Sequence, residues 1–209
     1  VEELMYAATL TENRAEQEKI YQYLTANYSQ DYRAWNNIGT NFFREGELDK
    51  AMQAYNRALQ VNPNAPEAHA NLALLALNKN ETGQAEELLG RASGAKNLEQ
   101  TLGLLYLKNG EYNKAVEAFG DVKTNNAALA QLLTNNYNRA SEILNDIKNP
   151  DATTAYLLAV IAARTNNFND VTDNLRTAID RNSAMKAHIA TDLEFAKYRN
   201  NTTFQSLIR

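Results

Sequence analysis

Several features that would point to particular protein classes are missing or scarce. Cysteine is absent, which excludes disulfides and metal sites built on thiolates. Three prolines and eight glycines give too few turn signals for a β-rich fold. No apolar run approaches the roughly 20 residues that a spanning helix needs, so direct membrane insertion is not expected. The net charge of −4 argues against a nucleic-acid partner, because phosphate contacts need clustered Lys and Arg.

The composition is otherwise that of a folded, water-exposed protein, with 44% hydrophobic and 22% charged residues. Asparagine is abundant, with 28 residues in the 209-residue chain. Asn favours turns and helix ends because its side chain bonds nearby backbone groups. Many short helices would explain this excess.

One segment carries a recognisable repeat signature. It consists of a large residue, then small and bulky residues at fixed spacings: Trp35, Ile38, Gly39, Phe42, Gly46, Ala51, Tyr55, Ala58 and Pro63. This pattern resembles the tetratricopeptide repeat (TPR) family. The resemblance implies an all-α, right-handed superhelical solenoid of antiparallel helix pairs with a C-terminal capping helix. Helices are predicted over 32–45 and 48–61, with a turn at Gly46.

The small residue that opens each second helix recurs along the chain. It is found at Ala51, Ala85, Ala115, Ala140 and Val171, in steps of 34, 30, 25 and 31 residues, of which only the first equals the family period. These anchors predict one array over 1–209. It starts with a partial repeat, 1–31, which would begin before Val1. The following repeats are 32–65, 66–95, 96–122, 123–150 and 151–183, and the cap is 184–209.

Two segments of this array depart from the regular repeat. In the compressed unit 123–150, Thr124 or Asn125 is predicted to cap a short helix through Leu133, and this unit is predicted to open first. Residues 184–199 are predicted to form one capping helix with Met185, Ile189, Leu193 and either Phe195 or Ala196 on its inner face. Phe204 and Leu207 of the tail are predicted to fold back onto it.

A search for catalytic residues finds no convincing constellation. His69 stands one repeat after Trp35, a packing position, and His188 lies in the cap. Neighbouring carboxylates such as Glu86 and Glu87 point in different directions on a helix. Gly-rich phosphate loops and nucleophile elbows are missing. No enzyme activity, cofactor or metal is therefore expected.

The resemblance implies that the first helix of each repeat lines a concave groove that holds a partner. The groove positions would be Arg33, Asn36, Thr40, Phe43 and Arg44, then Asn71, Leu74 and Asn78, then Gln100, Leu104 and Lys108. Two other interpretations stay open: Leu104 packs between neighbouring repeats, and the polar groups are only solvated. A clamp for a C-terminal carboxylate is not expected, since only Asn71 fits the positions of that TPR subclass.

Two functions follow as hypotheses. The first is a non-catalytic scaffold that binds a protein or peptide in its groove. The alternative is an architectural spacer or assembly module of a larger exported bacterial envelope protein. A resemblance of the segments 6–10 and 192–198 to such proteins favours the cell envelope over the cytoplasm. The partner, the oligomeric state and the compartment stay open.

Overall fold

The computed structural model describes residues 1–11 and 13–209, and this part of the chain is helical without any strand. The first unit, Val1–Asn109, contains α1 (Glu2–Leu10), α2 (Arg14–Asn27), α3 (Tyr32–Arg44), α4 (Leu48–Val61), α5 (Pro66–Asn78), α6 (Thr82–Gly90) and α7 (Leu98–Lys108). The second unit, Gly110–Arg209, contains α8 (Tyr112–Phe119), α9 (Asn125–Leu133), α10 (Tyr137–Asn145), α11 (Ala152–Arg164), α12 (Phe168–Arg181), α13 (Met185–Thr191), a 3₁₀ helix (Leu193–Tyr198) and α14 (Thr202–Ile208). The predicted all-α class with paired helices is confirmed.

The hairpin of α3 and α4 shows how the sequence sets helix ends. Asp31 caps α3 by accepting from the backbone N–H of Arg33. Gly46 takes a positive φ of 78° at the turn, which only glycine adopts without strain. The second helix ends at Val61, before Pro63. Both predicted helices are confirmed to within one residue.

Three later turns use asparagine where the first uses glycine. Asn80, Asn135 and Asn166 have φ of 62°, 62° and 60°. Asparagine tolerates this left-handed conformation better than most residues, since its short side chain bonds locally. Helix ends therefore account for part of the high asparagine content.

Small side chains lie where the helices pack most tightly. All five repeat anchors, from Ala51 to Val171, are fully buried. A Cβ atom built on Gly39 of α3 would lie 2.7 Å from two ring carbons of Tyr55 on α4. The predicted close approach at Gly39 is thus present, and the buried Tyr55 ring fills the space that the glycine leaves.

The short helix of the compressed unit begins as predicted. Thr124 accepts from the N–H of Ala127 and caps α9, which runs through Leu133. Whether the compressed repeat 123–150 opens first stays a prediction.

The prediction of a single capping helix over 184–199 is wrong. The chain is extended at Asp192, and a 3₁₀ helix follows. The break rotates the following residues, so Leu193 is 80% exposed and Ala196 is also exposed. Ile189, Phe195 and the tail residue Phe204 are fully buried, which confirms the inward packing of these three side chains.

Candidate partner-binding groove

The first helices form the inner side of the first unit. Helices α3 and α5 contact each other, as do α5 and α7. Within the described part of this unit, the second helices α4 and α6 make no contact of similar extent. Helices that approach on one side and spread on the other give the stack an inner surface, which we call the first-helix wall. All the predicted groove residues lie on its three helices.

A ladder of three amides crosses the first-helix wall. The Nδ2 of Asn71 donates to Oδ1 of Asn36 at 2.9 Å, and the Nδ2 of Asn97 donates to Oδ1 of Asn71 at 3.2 Å. Asn36 is 9% exposed, so this bond offsets the cost of burying a polar group. The ladder joins α3, α5 and the N-cap of α7, and it fixes their register.

The Thr40 hydroxyl is also occupied by bonds within the protein. It donates to the carbonyl oxygen of Asn36 at 3.1 Å and accepts from the Tyr55 hydroxyl at 3.4 Å. Burial raises the pKa of Tyr55, so this phenol stays protonated and can act as the donor. Thr40 therefore links the wall to the core of the hairpin.

The cation of Arg33 is already neutralised. Its guanidinium donates to both carboxylate oxygens of Asp31, at 3.0 and 2.7 Å, and to one carboxylate oxygen of Glu2, at 3.0 Å. The bond from Arg33 lowers the pKa of Asp31 below its ordinary value. A partner carboxylate would have to compete with two carboxylates of the protein itself.

This pairing predicts a pH-dependent contribution to stability. A carboxyl with a lowered folded pKa stabilises the fold above its unfolded pKa of about 3.9 and loses that contribution as pH falls through the folded value. Asp31→Asn keeps a capping residue but removes the charge, so it should cost up to about 1 kcal/mol at pH 7. Urea unfolding from pH 7 to pH 2.5 should show the difference from the parent chain shrinking below about pH 4. A difference that stays constant over this range would contradict the assignment.

Apolar side chains line the wall beside the ladder. Phe43 and Leu74 are half-buried, and Phe43 packs against the cluster around Tyr55. Leu104 is half-buried and packs against the core of α5 to α7, as the packing interpretation expected. The predicted polar positions at the margins, Arg44, Asn78, Gln100 and Lys108, are exposed. Among them, Lys108 donates to Asn80 at 2.6 Å.

Two exposed large side chains of α1 were not among the predicted groove positions. Tyr6 and Leu10 stand 34 residues before Thr40 and Arg44, and they are 66% and 65% exposed. They lie four residues apart and therefore share one face of their helix. Extending the period of 34 backwards from α3 would have aligned these two residues with predicted groove positions.

The two histidines lie in different units of the chain. His69 is buried and its Nε2 bonds the carbonyl oxygen of Pro63 at 2.9 Å. The Nε2 of His188 lies 3.3 Å from the Tyr156 hydroxyl, which donates to Asp192. Burial, and then the Asp192 bond, raises the pKa of Tyr156. In the described residues no three His, Asp or Glu side chains converge as metal ligands, and no helix has the length and apolar character to cross a membrane.

Comparison with known families matches two parts of the chain. A model described as TPR repeat matches residues 39–80, and a tetratricopeptide repeat model matches residues 100–123. These matches contain the signature residues Gly39 to Pro63 and the buried anchors Ala51 and Ala115. The chain contains tetratricopeptide repeats. No curated protein matches it as a relative.

Solved structures with the same fold are distant in sequence. A chain of the APC/C hetero-tetramer Cut9-Hcn1 superposes with a TM-score of 0.72 at 14% identity, over 94% of this chain and 40% of that one. PilW, a type IV pilus biogenesis factor, gives 0.67 at 13% identity, over 99% and 97%. A TPR protein from Parabacteroides merdae ATCC 43184 gives 0.62 at 15% identity, over 98% and 81%. The TPR fold is generally a non-catalytic protein–protein interaction scaffold.

Proposed function

We propose that this TPR protein binds a peptide segment of a partner protein along the first-helix wall of its first unit. The observation that carries the proposal is a set of accessible apolar side chains: Phe43 and Leu74 are half-buried on the wall, and Tyr6 and Leu10 are exposed on α1, one period earlier. Apolar side chains that stay accessible on an otherwise polar surface are typical of interaction sites. The aromatic members are of the kind that contributes most to binding energy.

The polar groups of the wall define what the peptide would look like. The amides of Asn36 and Asn71 bond each other, and Arg33 is neutralised, so binding depends little on a charged ligand. Exposed Arg44 and Lys108 near the ends of α3 and α7 favour an acidic residue at the margin of the peptide. We therefore expect a ligand with two or more apolar anchors and at most a few acidic residues.

A peptide library displayed on phage and selected against the chain tests this proposal. Tyr6→Ser and Leu74→Ser should each weaken the selected peptides by about tenfold or more, because each removes an apolar anchor. Tyr23→Ser is the matched control, since Tyr23 is 52% exposed but lies on the second helix α2. It should leave the affinity unchanged, as measured by fluorescence anisotropy of a labelled peptide.

The opposite pattern would refute the proposal. If the peptides tolerate both wall variants and are lost in Tyr23→Ser, the binding face is the second-helix side. Circular dichroism of each variant shows that the fold is retained. The alternative of a spacer in a larger envelope protein stays a prediction. A selection that yields no peptide for the wall would favour it.

A further inference from the structure

A cavity opens on the other side of the first unit, between the second helices α4 and α6. It has a volume of about 200 Å³ and is floored by α5. Its apolar lining includes Met52, Leu59, Leu72 and Leu88. Lys79, Glu81 and Arg91 also line it and supply its charged groups. The cavity lies where α4 and α6 spread apart, on the opposite side from the first-helix wall.

The preceding repeat has an indole ring at the position that corresponds to His69. Trp35 packs against the cluster of Ala58, Ala65 and Ala68, and its Nε1 donates to the carbonyl oxygen of Ser29 at 3.0 Å. One period of 34 later, His69 bonds the carbonyl oxygen of Pro63 in the same way, at 2.9 Å. The bond is retained but the ring is smaller, so the later repeat has less side-chain volume at this place.

The arginine that lies beside the indole ring in the preceding repeat also has a counterpart in the later repeat. The guanidinium of Arg57 lies over the Trp35 ring, 5.7 Å from its centroid. The residue one period later is Arg91, which lines the cavity. A cation beside an apolar space attracts the face of an aromatic ring. The second repeat therefore has the cation but lacks the indole under it.

His69 adds an unsatisfied polar atom. A carbonyl oxygen only accepts, so Nε2 carries the hydrogen and Nδ1 of the neutral ring is an acceptor. Nδ1 is buried without a hydrogen-bond partner, and His69 as a whole is 4% exposed. Because the Pro63 bond fixes the ring, Nδ1 cannot turn towards another group. A buried acceptor of this kind favours a ligand that brings a donor.

We propose that this cavity binds an indole-like aromatic ring, with its N–H directed at Nδ1 of His69. Cavities of about 150 Å³ hold benzene, so about 200 Å³ accommodates a larger ring. Met52, with its flexible side chain, adjusts to admit the ring. The ring is either a free small molecule or the side chain of a tryptophan in a partner. This site is independent of the peptide groove proposed above.

Methyl NMR of the full chain tests the site with two probes. Titration with indole should shift the methyl signals of Met52, Leu72 and Leu88. Benzothiophene has the same shape without the N–H donor, and it should bind about tenfold more weakly or worse. N-acetyl-tryptophanamide distinguishes the source: binding as tight as that of indole assigns the site to a tryptophan side chain, and weaker binding assigns it to a free ring.

Two substitutions of His69 complete the test. His69→Trp reproduces the preceding repeat, so the variant should fold and its own ring should abolish indole binding. His69→Phe keeps a flat ring without the acceptor, so indole and benzothiophene should bind it equally. Methyl signals that do not respond to indole in the parent chain, or an equal response in folded His69→Trp, would overturn the proposal.

Discussion

Replacing Gly39 with valine should destabilise the first unit by about 3 kcal/mol, the upper part of the range for overpacked cores. A Cβ at this position would lie 2.7 Å from the Tyr55 ring, and that ring is buried and cannot move aside. Helix propensity hardly contributes, since valine is slightly better than glycine in a helix. Urea unfolding and hydrogen exchange of α3 and α4 measure the loss.

Gly83→Val is the matched control for this substitution. Gly83 also lies in a helix, but a Cβ there would have no atom within 4 Å. The change in the free energy of unfolding should stay within about 0.5 kcal/mol. A second test is the double variant Gly39→Val with Tyr55→Leu. Its loss of unfolding free energy should be smaller than the sum of the two single losses by about 1 kcal/mol or more. Equal effects at Gly39 and Gly83 would show that the close contact with Tyr55 has no energetic weight.

Phe195→Ala should destabilise the C-terminal end of the second unit by about 3–5 kcal/mol. Phe195 is fully buried and its ring lies 6.0 Å from that of Tyr156 and 6.1 Å from that of Phe204. Its removal leaves a cavity beneath the 3₁₀ helix and loosens the tail. Hydrogen exchange should become faster first in α13, α14 and the C-terminal turn of α11.

Leu193→Ala provides the control two residues earlier in the same 3₁₀ helix. Because Leu193 is 80% exposed, its truncation should change stability by no more than about 0.5 kcal/mol. A single helix over 184–199 with Ile189 and Leu193 on its inner face would have buried Leu193, and the truncation of Leu193 would then be costly. Comparable losses from the two truncations would contradict the described break at Asp192.

The repeat signature predicted most of the fold because the size of each signature residue reflects how closely the helices pack at that position. Gly39 and Ala51 are small where neighbours touch, and Trp35 and Tyr55 are large where space must be filled. Such residues fix which faces meet, so the hairpin of α3 and α4 was predicted almost to the residue. The buried anchors Ala85, Ala115, Ala140 and Val171 followed from the same rule.

The cap was harder to predict because its local pattern is ambiguous. Ile189 and Leu193 are spaced like one helix face, but Asp192 caps a new turn by accepting from the N–H of Glu194. A side-chain cap within an apolar pattern competes with helix continuation. The Asp192 bond to Tyr156 adds a contact 36 residues away, which no local pattern contains.

The candidate groove was predicted by position, but its bonding was not. Repeat spacing placed Asn36 and Asn71 in first helices, where the structure has them. That the two amides bond each other depends on the distance between α3 and α5, which is a tertiary property. Tyr6 and Leu10 were not predicted because they precede the segment that carries the clearest repeat signature.

The amide ladder also has a direction. Asn97 donates to Asn71 and Asn71 donates to Asn36, so every link points the same way. At the Asn36 end an amide N–H group remains, and at the Asn97 end an amide oxygen remains. A peptide backbone laid along the wall would meet a donor at one end and an acceptor at the other. For a peptide bound as proposed, the two orientations would therefore differ in energy.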